Sequence, residues 1–238
     1  MNKKKLLGYS IFFVVLVFVF LVVVLGDVHS PKDVFREQTW RTFASNFKSK
    51  SPVLNTVKPF TFITQDGKPF TEKDMLGKVC VVNYFFTTCK GICPRMNANM
   101  HTMVYDVFKD EPDLMIVSHT CDPEIDSAAV LKKYADNLHV DEHKWVFLTG
   151  RKDSLYRSAR DSYLLDDPKN AFVNINDQFL HTQFFALVDK NGQVRGQVYD
   201  GLKQDELKQL QSDIRGLLAE KANNAAVANN GTPNNNAQ

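Results

Sequence analysis

Val79-Cys80-Val81-Val82-Asn83-Tyr84-Phe85-Phe86 runs directly into Thr87-Thr88-Cys89-Lys90-Gly91-Ile92-Cys93-Pro94, and the reading of this junction decides the fold. The first half is rich in β-branched and aromatic residues and reads as a central strand. Pro94 opens a helix, because its fixed φ and missing N–H cost nothing in a first helical turn. Cys89 and Cys93 therefore sit beyond the carboxyl end of a strand, where open α/β sheets gather their ligands. Four positions apart, their sulfurs can converge as a disulfide or as two ligands of one soft metal ion. The helix dipole at Cys93 and the nearby charge of Lys90 favour thiolate, and both effects are expected to lower thiol pKa.

Downstream of Pro94, residues Met96, Met100, Met103, Val104, Val107 and Phe108 recur at helical spacing. Thioether sulfur is a soft ligand, but this stripe is equally the buried face of an amphipathic helix, and core packing is the expectation. A second strand over 114–117 ends in Ser118-His119-Thr120-Cys121-Asp122-Pro123, after which Asp126 is expected to cap a helix running through Leu138. A third strand over 145–148 and a helix over 153–163 follow. The alternation argues for crossovers and a partly parallel sheet. Two hairpins flank this core: residues 57–70 around Asp66-Gly67, and residues 184–199 around Asp189-Lys190-Asn191-Gly192, the latter expected as an antiparallel edge. A last amphipathic helix is expected over 204–218.

The ends of the chain are of different composition. Lys3, Lys4 and Lys5 precede a charge-free apolar run over 6–25, long enough to cross about 30 Å of hydrocarbon. The lysines stay on the cytoplasmic side, so everything after Asp27 is expected outside, in a bacterial periplasm. A cleaved signal peptide is the alternative, but Val22-Val23-Val24-Leu25-Gly26 lacks a small-x-small cleavage pattern. The expected organisation is a membrane anchor over 1–26, a stalk over 27–50 with a short helix near 35–47, one domain over 51–218, and a disordered Asn-rich tail over 219–238. A formal charge of +2 on 238 residues describes an ordinary globular protein and excludes a nucleic-acid binder.

Four cysteines at 80, 89, 93 and 121 are too few for a disulfide scaffold. Cys80 is expected to pack in its strand. Cys121, near the end of the second strand, is assigned to packing too, with room for a resolving or auxiliary role. A structural zinc site wants four Cys or His ligands in close-spaced pairs, and no second pair exists. Two thiolates with one imidazole suit copper. Six histidines could supply the imidazole; spacing favours His181, just before the strand over 184–188, with His119 as a rival, and does not choose between them.

Cys89-x-x-x-Cys93-Pro94, Asp122-Pro123 with Asp126, Trp145 with Leu148-Thr149-Gly150, and His181 ahead of the Asp189–Gly192 turn together resemble the SCO/SenC family, named for synthesis of cytochrome c oxidase. The resemblance implies a thioredoxin-like mixed sheet flanked by helices behind an N-terminal transmembrane helix. It implies copper bound by Cys89, Cys93 and His181, with Asp122 near the site. It further implies delivery to the dinuclear copper centre of cytochrome c oxidase, with the copper-bearing subunit as partner and other copper chaperones or thiol reductases as further ones. The alternative within the same resemblance is a thiol-disulfide reductase using Cys89 and Cys93. Where many members carry Pro-Asp between the cysteines, this chain has Lys90-Gly91.

Overall fold

The computed structural model describes residues 53–220. The expected anchor, stalk and Asn-rich tail lie outside the described residues, apart from the first two tail positions. Ala219 closes the last helix and Glu220 pairs with Arg195, its Oε2 3.1 Å from Nη1. Among the described residues, no helix is long and apolar enough to cross a membrane.

Eight strands form one mixed sheet: β1 (Val53–Thr56), β2 (Thr61–Thr64), β3 (Pro69–Thr71), β4 (Val79–Phe85), β5 (Leu114–Thr120), β6 (Trp145–Thr149), β7 (Phe184–Val188) and β8 (Gln193–Asp200), in the order β1-β8-β7-β4-β5-β6-β2-β3. β4, β5 and β6 are parallel, as the alternation requires. Each is buried throughout, which is why each reads as a continuous apolar run instead of alternating. The 184–199 hairpin differs from expectation. β7 pairs antiparallel with the central β4, and β1, a strand with no clear signal of its own, covers β8 and becomes the edge. The β2–β3 hairpin closes the other edge by pairing antiparallel with β6. Gly67 and Gly192 hold φ of +75° in the two hairpin turns, a conformation that favours glycine.

The helices are α1 (Cys93–Met100), α2 (Ala128–Leu138), α3 (Lys152–Asp161) and α4 (Gln204–Ala219). α1 continues through a π-helical turn (His101–Tyr105) into one more α turn (Asp106–Phe108). Met96, Met100, Val104 and Phe108 are buried against β4, β5 and β6, so the methionine stripe is core. Their spacing of four would drift about 40° per repeat on a 3.6-residue helix; the wider π turn absorbs that drift and leaves Val107 44% exposed. Gln211 of α4 donates to the Met103 carbonyl inside this turn at 2.7 Å. α3 packs on the opposite face of the sheet, where Tyr84 of β4 donates its hydroxyl to the Leu155 carbonyl at 2.9 Å.

The N-cap of α2 is Ser127, whose hydroxyl accepts from the Val130 N–H. Asp126, the expected cap, is instead fully buried and turned toward the cysteine loop. A helix start tolerates either residue, and burial beside two threonines decided between them.

Candidate metal centre

β4 delivers the chain to the thiols and α1 begins on the second of them. The Cys89 N–H donates to the Phe86 carbonyl at 3.3 Å, closing a turn, and Cys93 is the first residue of α1 with Pro94 behind it. Cys89 is half-buried and Cys93 is 4% exposed; all four cysteines are free thiols. The two thiols shift one another's titration, and they are not equivalent. Burial raises the pKa of Cys89, but bonds from the Cys93 thiol and from the backbone of Cys93, Gly91 and Ile92 outweigh it and hold Cys89 below the ordinary thiol value. Burial pushes Cys93 up to about 12, and its bond to Cys89 adds to the rise. The expected lowering of thiol pKa is found at Cys89, whereas at Cys93, where the helix dipole is expected to act, the shift is upward. For Cys93, desolvation and its role as donor overcome the helix terminus.

Asp126 suspends this loop. Its carboxylate accepts the Thr87 N–H at 3.1 Å, the Thr87 hydroxyl at 2.5 Å and the Thr120 hydroxyl at 2.6 Å. Thr120 in turn accepts the Asp122 N–H at 2.9 Å. One buried carboxylate thus joins the turn before Cys89 to the end of β5. Asp122 itself is half-buried, and burial together with the neighbouring Asp126 and Glu124 raises its carboxyl pKa. Beneath the thiols a polar chain crosses the core: Trp145 donates to Ser118 at 2.8 Å, Ser118 to Asn83 at 2.5 Å, Asn83 to Asn97 at 3.2 Å, and Asn97 to the Tyr134 hydroxyl at 2.8 Å. Asn97 lies one turn after Cys93, so this chain ties α1 to β4, β5 and α2.

Cys121 is buried just past β5, its N–H donating to the Phe85 carbonyl at 2.7 Å. Burial, then the nearby Cys93, raises its thiol pKa well above the ordinary value, so it is an inert neighbour at neutral pH. Cys80 is buried in β4 and pushed up to about 12 by desolvation.

His181 is exposed on the loop preceding β7. Its ring centroid lies 6.4 Å from that of Phe86, and Phe179 meets Phe86 edge-on at 5.1 Å. The loop thus reaches the strand end that carries the thiols. Among the described residues, however, no three His, Cys, Asp or Glu side chains form a group that could hold an ion. The structure brings Cys89 and Cys93 together and leaves His181 beside Phe86. His119, the rival histidine, is fully buried on the face of the sheet that carries α3, stacked on Tyr84 at 4.9 Å and edged by Phe60 and Phe62. Neither ring nitrogen has a hydrogen-bond partner, and burial lowers its pKa to about 3. It is removed as a rival by its place in the aromatic core. Tyr156, which carried no motif, is a further participant: its buried hydroxyl donates to the Cys121 carbonyl and accepts the Leu180 N–H.

Comparison with known proteins places this arrangement among relatives. A family model described as SCO1/SenC matches residues 48–218. The SCO1 protein homolog of Bacillus subtilis (strain 168) is 32% identical over 169 residues, spanning 70% of this chain and 84% of that protein. A solved structure of BsSco, described as a member of the Sco family of cytochrome c oxidase assembly proteins with a disulfide switch, is 32% identical with a TM-score of 0.60, covering 73% of this chain and 100% of that one. Yeast Sco1 with copper bound is 25% identical with a TM-score of 0.50, covering 69% and 94%.

Proposed function

The chain belongs to the SCO1/SenC family, and on that premise we propose that it is a membrane-anchored copper chaperone for assembly of the dinuclear copper centre of cytochrome c oxidase. Its described domain has the family's thioredoxin-like mixed α/β fold. The cargo is copper, held by Cys89, Cys93 and His181. The observation that carries this proposal is the pair of free thiols, Cys89 and Cys93, placed between the carboxyl end of β4 and the start of α1, one of them with a lowered pKa. Thiolate sulfur is the donor that selects Cu(I), and imidazole accommodates either oxidation state. Three protein ligands leave a position through which a receiving thiol on the oxidase subunit takes over by ligand exchange. Copper bound to yeast Sco1 supports the choice of metal. The apolar run over 6–25 supports a single-pass anchor in a bacterial inner membrane, with the domain facing the periplasm.

A second reading is favoured by the separation of His181 from the thiols: a thiol-disulfide reductase acting on the cysteines of the oxidase copper site. Cys89 as thiolate attacks the partner's disulfide, releasing one partner thiolate; Cys93 then resolves the mixed disulfide, leaving Cys89–Cys93 oxidised and the partner carrying two thiols. This step needs no imidazole. Oxidase assembly in cells carrying Cys89→Ser, Cys93→Ser or His181→Ala separates the two. A chaperone loses assembly in all three variants, whereas normal assembly with His181→Ala and failure of both cysteine variants would establish the reductase.

A further inference from the structure

The loop that carries His181 has few ties to the rest of the domain. Phe172, Val173 and Phe179 are exposed at 92%, 45% and 52%. On one side Gln178 is held by the Arg160 guanidinium at 2.9 Å, and on the other the Gln183 carbonyl accepts the Gly201 N–H at 2.9 Å. Between these points Leu180 is 5% exposed, Phe179 meets Phe86 edge-on, and one buried oxygen bonds the main chain. Tyr156 of α3, 1% exposed, accepts the Leu180 N–H at 3.1 Å and donates to the Cys121 carbonyl at 2.7 Å. Leu180 is the residue before His181, and Cys121 follows the end of β5, next to Asp122. Both bonds go to backbone, so the tie does not depend on the rotamer of any partner side chain. The phenol ring projects from α3, which makes it a strut between the histidine loop and the Cys121 turn.

We propose that Tyr156 is the positioning residue for His181: its hydroxyl pins the backbone at Leu180 to the Cys121 turn, so that the imidazole is kept beside Phe86, at the strand end that leads to the Cys89–Cys93 pair. The inference rests on the proposal that His181 is a copper ligand. Tyr156 touches neither the metal nor the thiols and acts only through the loop. A phenylalanine at this position fills the same space and lacks only the oxygen, leaving the Leu180 N–H and the Cys121 carbonyl without their partner.

The test is a double-mutant cycle in the full-length chain, comparing wild type, Tyr156→Phe, His181→Ala and the double variant. Cu(I) affinity is read by competition with a chromophoric chelator. Tyr156→Phe is expected to weaken binding about tenfold, equivalent to about 1.4 kcal/mol, and to add nothing in the His181→Ala background. Wild-type affinity in Tyr156→Phe overturns the inference, as does an equal loss with and without His181, since the tyrosine would then act through the cysteines or the fold. Unchanged affinity in His181→Ala overturns the ligand assignment, and the positioning role with it. Amide hydrogen exchange then tells the two failures apart, because it reads the tether without copper. In the wild-type chain the Leu180 amide should exchange at least about tenfold slower than in an unstructured chain, with that protection lost in Tyr156→Phe. Free exchange at Leu180 in the wild type overturns the tether itself, whatever the variants do.

Discussion

Cys89 and Cys93 are four residues apart and both free thiols, yet their sulfurs are prepared for opposite tasks. Cys89 gathers hydrogen bonds and has its pKa lowered, while Cys93 is buried and pushed up to about 12. Alkylation at neutral pH should therefore modify Cys89 first, with its rate levelling off at a lower pH than for a free thiol; first labelling at Cys93 would contradict this asymmetry. His119 shows a different residue-scale compromise. Its ring is neutral in the fold, with a pKa of about 3 against an ordinary value of 6.5. Between those values the unfolded chain binds a proton that the folded one refuses. Stability is thus full above pH 6.5 and falls as pH drops toward 3, by up to about 1.4 kcal/mol per pH unit. Replacing His119 with Phe should flatten that acid slope in urea titrations while keeping or raising stability at neutral pH, because two unpaired nitrogens leave the core. An unchanged slope would mean that other groups carry the acid sensitivity.

At the scale of elements, the end of β5 and the start of α2 divide two jobs between neighbouring residues. Ser127 caps the helix, and Asp126 holds the turn ahead of Cys89. Ser127→Ala should cost about 1 kcal/mol, as for other N-caps, and leave the thiols unaffected. Asp126→Ala should cost more, about 2–3 kcal/mol, because it strands a buried donor on Thr120 and two half-buried donors on Thr87, and it should also alter the alkylation rate of Cys89. Equal costs with unaltered thiol chemistry would return Asp126 to the role of a cap. The sequence pattern made the site's main elements legible: β4 by its β-branched run, α1 by Pro94, and the hairpin turns by Asp-Gly and Asn-Gly pairs. It could not separate Asp126 from Ser127, since both residue types start helices and only tertiary contact with Thr87 chooses. The role of Tyr156 was equally hidden, because its two partners are backbone groups about 24 and 35 residues away.

For the whole molecule, the parallel core β4-β5-β6 brings the cysteine turn, the Asp122–Asp126 segment and α3 to one end of the sheet, and β7 adjoins them from the other side of β4. That convergence is why residues as distant as Cys89, Cys121 and Leu180 share one neighbourhood. Strand order was less legible than strand existence: β1 has a weak pattern, and its pairing with β8 turned an expected edge hairpin into an interior one. The proposed anchor belongs to this scale as well. Removal of residues 1–26 should move the chain from the membrane fraction to the soluble one, and persistence in membranes would contradict the anchor. The proposal that the thiol pair holds copper is tested most directly by the absorption spectrum of the reduced full-length chain titrated with Cu(II). A thiolate-to-copper charge-transfer band should saturate at one copper per chain, disappear in Cys89→Ser and Cys93→Ser, and change in position or intensity in His181→Ala. Copper taken up without such a band, or a band that survives replacement of both cysteines, would contradict it.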